Sequence, residues 1–132
     1  MRQVSGGLRV ALFAAAFAVF GLVQAAMAST PYSESAFKSA QATGAPILVE
    51  IHANWCSTCK AQTPIIDALA VQPKFKNLKI FRVDFDSQKS DVQKFGAKMQ
   101  STLIVYKGNS EVGRSVGDTK RDSIAALLDK GL

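Results

Sequence analysis

The stretch ILVEIHANWCSTCK, residues 47–60, decides how this chain is read. It opens on a short segment of near-continuous apolar character, Ile47 to His52, rich in Ile and Val. That is the signature of a strand buried on both faces, with parallel neighbours. It closes on Cys56 and Cys59, the only cysteines, with the only tryptophan, Trp55, and the only histidine, His52, beside them. From Cys56 to Val71 the pattern puts Ile65, Ile66, Leu69 and Ala70 on one helical face. Pro64 falls inside that helix and removes a backbone donor, which predicts a kink. A C-x-x-C therefore stands where a central strand gives way to a helix, the usual place for a site in an open α/β sheet.

Outward from this stretch the elements follow in a simple order. Upstream, Ser33 or Ser35 offers an N-cap for a helix carrying Phe37, Ala40 and Gln41, which Gly44 ends. Downstream, Leu78 to Asp86 alternates apolar with polar and predicts a second strand. A short helix over Ser90 to Phe95 stops at Gly96. STLIVYK (101–107) and EVGRSVG (111–117) read as two strands joined through Gly108-Asn109-Ser110. A last helix, Thr119 to Lys130, carries Ile124, Leu127 and Leu128 on one face. The order α-β-α-β-α-β-β-α implies an α/β fold, with a mixed sheet flanked by helices.

The amino-terminal 28 residues stand apart. Arg2 and Arg9 lead into an uncharged apolar run from Val10 to Val23, and Ala26-Met27-Ala28 has the small-x-small form that signal peptidase cuts. The expectation is a signal peptide over 1–28, cleaved after Ala28, and one domain over 29–132. The alternative is an uncleaved membrane tether, for which the run is short of a span of about 20 residues. Export, to a bacterial periplasm, is the compartment this implies. The formal charge is +6, with lysines scattered among ten acids. No basic block exists, so nucleic acid is not an expected partner.

Three chemistries could use Cys56 and Cys59. As a staple the pair is poor, because so small a loop removes little entropy from the unfolded chain. As a metal clip, Cys56, Cys59 and His52 would make a soft set for copper or zinc, but a closed zinc site wants four ligands and no second C-x-x-C or histidine exists. No metal ligand is therefore assigned, and a copper or zinc carrier is the alternative. As a redox pair, Cys56 near the first helical turn meets unsatisfied N–H groups and the positive dipole end, which favour a thiolate. Cys59, one turn on, is placed to resolve a mixed disulfide formed at Cys56. This makes Cys56 the exposed nucleophile and Cys59 the buried resolving thiol, with their disulfide in place of an external cofactor. Ser57 and Thr58 either donate to the Cys56 sulfur or cap the helix. Lys60 either adds positive potential or is simply solvated.

These residues resemble the thioredoxin family, from about Tyr32 to Leu132. The family's strand followed by W-C-x-x-C-K is matched by residues 47–60, and its helix-kinking proline, eight residues after the first cysteine, by Pro64. VDFD, STLIVYKG, the glycine of SVGD (Gly117) and the closing helix follow in family order. The resemblance implies a thioredoxin-like fold and a protein thiol–disulfide oxidoreductase, with Trp55 flanking the site. It implies that Glu50 takes the place of a buried aspartate and exchanges a proton with Cys59, burial favouring the protonated acid. It places His52 where a second aromatic is common; an imidazolium there would stabilise the Cys56 thiolate, or the ring would simply cover the site.

Two departures stand out. The family has a cis-proline opposite the dithiol, and this chain has Ser101 there. A non-proline cis bond costs about 2.5–4 kcal/mol, so a trans or rearranged loop is expected. Client peptides would pair with the backbone around Gln100, Ser101 and Thr102, near Gly117, as an added strand. Only STPYS precedes the first helix, so a minimal four-stranded sheet is expected. The functional expectation is an exported oxidoreductase acting on disulfides or thiols of client proteins, as reductant, fed by a membrane-embedded thiol relay.

Overall fold

A computed structural model describes residues 29–132; the expected signal segment, 1–28, lies outside them. The order is β1 (Thr30–Pro31), α1 (Glu34–Ala42), β2 (Pro46–His52), α2 (Ser57–Ala70), a 3-10 turn (Pro73–Phe75), β3 (Lys79–Asp84), α3 (Lys89–Lys94), β4 (Thr102–Lys107), β5 (Ser110–Val116) and α4 (Arg121–Asp129). The strands form one sheet in the order β1-β3-β2-β4-β5. β3 runs parallel to both β1 and β2, while β2–β4 and β4–β5 are antiparallel.

The sheet thus has five strands, not the expected four. The fifth is β1, which the sequence hides because it is two residues long and includes a proline. It forms at the sheet's edge, where a residue without an N–H is tolerated. Tyr32 fastens it: its N–H donates to the Arg82 carbonyl at 2.9 Å, and its ring packs edge-on against Phe95, 5.2 Å between centroids.

β2 is central, and Ile47, Leu48, Val49 and Ile51 are each at most 1% exposed. Each buried aliphatic contributes roughly 1.5–3 kcal/mol, so this strand is a principal source of cohesion. Alternation splits its side chains between two layers. Ile47, Val49 and Ile51 join Phe37 and Ala40 from α1, Val92 from α3 and Phe95 at its C-cap. Leu48 joins Ile66, Leu69, Ile124 and Leu128 from α2 and α4 on the other face. Ser33 caps α1, its hydroxyl accepting from the Ala36 N–H. The β4–β5 hairpin turns through Gly108 and Asn109, with positive φ at Gly108 alone, 56°, the pattern of a II′ turn that matches strand twist.

Candidate active site

Cys56 and Cys59 meet at the exit of β2, where Ala53 and the start of α2 bring them together. They are joined as a disulfide, with Cα atoms 5.3 Å apart. Cys56 is itself the N-cap of α2: its sulfur accepts the Cys59 N–H at 3.0 Å, and its carbonyl accepts the Lys60 N–H at 3.1 Å. A helix has unpaired N–H groups at its start, and here one of them points at sulfur. When the pair is reduced, that donor and the dipole behind it favour the Cys56 thiolate.

One expectation needs adjustment. Cys56 is not exposed while oxidised; it is 4% accessible against 2% for Cys59. Ala53 and the half-buried Phe85 pack in one cluster with both cysteines, so the order of exposure is as expected but the contrast is small. Ser57 and Thr58 make no side-chain bond to the Cys56 sulfur among the described residues; the cap is Cys56, which takes the position their hydroxyls were expected to serve.

Glu50 is 4% exposed. Two residues after Leu48, it shares the sheet face covered by α2. Its Oε2 accepts from Arg82 Nε at 3.2 Å and from the Ser29 hydroxyl at 2.6 Å. The buried acid is therefore present, but as one half of an ion pair rather than alone.

At His52, half-buried at the end of β2, one of the two expected roles is disfavoured. Burial first, and then the Arg82 cation, hold its pKa below the ordinary histidine value, against the opposing pull of Glu50 and Asp84. The neutral ring predominates at neutral pH, which disfavours the imidazolium role.

Trp55 is 60% exposed, and its indole N–H donates to Asp86 at 2.8 Å. Asp84 builds the turn that presents Asp86, accepting from the N–H groups of Asp86 and Ser87 and from the Ser87 hydroxyl. Those Ser87 bonds hold the Asp84 carboxyl below the usual range. Lys60 is exposed and forms no ion pair among the described residues. Pro64 lies inside α2, as its position predicts.

The loop opposite the dithiol is the other half of the site. All its peptide bonds are trans, and Ser101 adopts φ of 60°. Its N–H donates to the Ile51 carbonyl at 2.7 Å, and its own carbonyl accepts from Gly117 N–H at 3.0 Å. Thr102 pairs with Ile51 on one side and Val116 on the other. Ser101, Thr102 and Gly117 are thereby brought together beside the strand that leads to Cys56, with the half-exposed Gln100 at the rim.

Four residues of the site were missed in the sequence: Arg82, Ser29, Gln62 and Phe85. Arg82 had a signal, since in the alternating β3 it falls opposite Phe81 and Val83. Parallel pairing sets it directly beside Glu50. Gln62 had one too, as the lone polar residue on the buried stripe Cys59, Gln62, Ile66, Leu69. Among the described residues no group of three or more His, Cys, Asp or Glu is arranged to hold a metal.

Comparison with known proteins bears on this geometry directly. The family model described as Thioredoxin matches residues 28–130. The thioredoxin of Chlamydia muridarum (strain MoPn / Nigg) is 36% identical over 98 residues, covering 74% of this chain and 93% of that protein. Among solved structures, Trxlp from Edwardsiella tarda EIB202 superposes with a TM-score of 0.73 at 45% identity, covering 74% of this chain and 95% of that one. Thioredoxin NaTrxh from Nicotiana alata gives a TM-score of 0.68 at 27% identity, covering 78% and 91%.

Proposed function

The chain belongs to the thioredoxin family, and we propose that within it this protein is an exported reductant of disulfides in client proteins. Its chemistry is thiol–disulfide exchange through Cys56 and Cys59. The Cys56 thiolate attacks one sulfur of a client disulfide; a Cys56–client bond forms and the first client thiolate leaves. Cys59, once deprotonated, attacks the Cys56 sulfur, the Cys56–Cys59 bond forms and the second client thiolate leaves. Two electrons and two protons pass to the client.

The observation that carries this reading is the Cys59 N–H aimed at the Cys56 sulfur from the first turn of α2. That donor favours the thiolate in the attack and steadies Cys56 as the leaving sulfur when a relay reduces the pair again. Glu50, buried on the α2 face of the sheet, is the acid–base group available to Cys59. An incoming peptide would lie along the Gln100–Thr102 loop; Ser101 is already paired within the chain, so the half-exposed Gln100 is its first contact. Export is supported by the apolar run and Ala26-Met27-Ala28. Outside the cytosol electrons would come from a membrane-embedded thiol relay, such as the run itself would bring nearby if it stays uncleaved.

The test is capture. In a bacterial host's periplasm, Cys59→Ser should accumulate mixed disulfides with client proteins, and Cys56→Ser should accumulate none. Equal capture by both variants, or by neither, would contradict the assignment.

A further inference from the structure

Gln62 is 4% exposed and sits three residues after Cys59 on the inner face of α2. Its Nε2 donates to the Ser101 carbonyl at 3.2 Å and to the Asp118 carbonyl at 2.9 Å. Both partners are acceptors, so the amide nitrogen, not the oxygen, must face them. One side chain from the dithiol helix thus ties down both the loop opposite the sulfurs and the turn after β5.

Ser101 needs such a tie. A non-glycine residue at φ of 60° is held against a local steric cost, and persists only where its surroundings over-determine it. A proline at this position would set the backbone by its ring; serine leaves φ free. The restraints are instead external: Ile51 takes the N–H, and Gly117 and Gln62 share the carbonyl. The bonds to Ile51 and Gly117 are backbone to backbone. The Ser101 and Thr102 hydroxyls donate within the loop, to the Gln100 and Met99 carbonyls; Gln62 is the side-chain restraint from outside it, from the element that carries Cys59.

We propose that Gln62 is a positioning residue for client recognition: by bridging Ser101 and Asp118 it fixes the left-handed turn of the client-facing loop relative to the dithiol. The inference rests on the client reading above. A small disulfide reaches the sulfurs without using the loop, so only extended protein substrates should feel the loss.

Gln62→Met keeps length and burial while removing the donors. Reduced wild type and variant are compared on a disulfide-bonded protein and on glutathione disulfide. The expected result is a kcat/KM loss on the protein substrate about fivefold larger than on glutathione disulfide, carried by KM, the scale of one hydrogen bond. Equal losses on both, the mark of a purely structural role, or no loss on either, would overturn the proposal. If Gln62→Met does not fold, Gln62→Asn retains polarity but is one methylene short, and the same split is required of it. Failure of the wild type to reduce the protein disulfide would sink the client reading, and this inference with it, before any variant is compared.

Discussion

Arg82 Nε lies 3.2 Å from Glu50 Oε2, and the two residues face each other at matching positions of parallel β2 and β3. The pair is asymmetric, since the Glu50 side chain is 6% exposed and that of Arg82 31%. The cation keeps a route to water while the carboxylate does not, so removing the cation hurts more than removing both. Arg82→Met should cost about 1–3 kcal/mol in denaturant unfolding, scaled down from a fully buried pair because Arg82 is part-solvated. Arg82→Met with Glu50→Gln should recover most of that loss. A double variant no more stable than Arg82→Met alone would mean the ion pair is incidental.

Two of the groups whose pKa values lie below normal, His52 and Asp84, make stability depend on acid in two windows. His52 takes up its proton less readily folded than unfolded. The unfolded chain therefore binds the extra proton first, and stability falls as pH drops below about 6.5. Asp84 is also lowered, by its bonds from Ser87; its contribution is full above its unfolded value and is lost as pH falls below about 4. Unfolding at pH 7.5 and 5.5 should show a smaller drop for His52→Gln than for wild type. An equal or larger drop in the variant would contradict the assignment of the upper window.

Ser101 permits a test of backbone rather than side chain. Glycine adopts positive φ without the steric cost, whereas proline fixes φ near −65° and lacks the N–H given to Ile51. The expected order of unfolding free energy is Ser101→Gly at or above wild type, by up to about 1 kcal/mol, and Ser101→Pro below it. A more stable Ser101→Pro would mean the loop readily takes another shape.

In the core, Leu69 is 1% exposed and Val71, two residues on, is 55% exposed. Leu69→Ala should lose about 2–5 kcal/mol, and Val71→Ala should stay within about 0.5 kcal/mol of wild type. Similar losses at both sites would refute the placement of the α2 face.

What could be read from the sequence follows from which signals are local. The apolar run of β2 and the C-x-x-C after it speak in adjacent residues, so strand, helix and dithiol were legible together. Ser33, Pro64 and the Gly108 turn act within a few residues and were equally plain. β1 was not, because two residues carry no period; it is made by Tyr32 reaching distant Phe95 and by the neighbouring β3. Glu50 was recognised by its distance from Cys56, but its ion pair depends on parallel register, which no single strand reveals. His52 illustrates the same limit: its identity invites a charge, while its burial and Arg82 deny one. Ser101 was seen as a departure from a family pattern, yet the partner that compensates for it, Gln62, lies 39 residues away.

The most direct test of the central claim is an equilibrium redox titration of residues 29–132, following alkylation of Cys56 and Cys59 across dithiothreitol and glutathione buffers. A reductant requires a single two-electron transition near roughly −270 mV, the thioredoxin end of the scale. A transition near about −120 mV, the strong-oxidant end, would make the protein a donor of disulfides and contradict the proposed direction of electron flow.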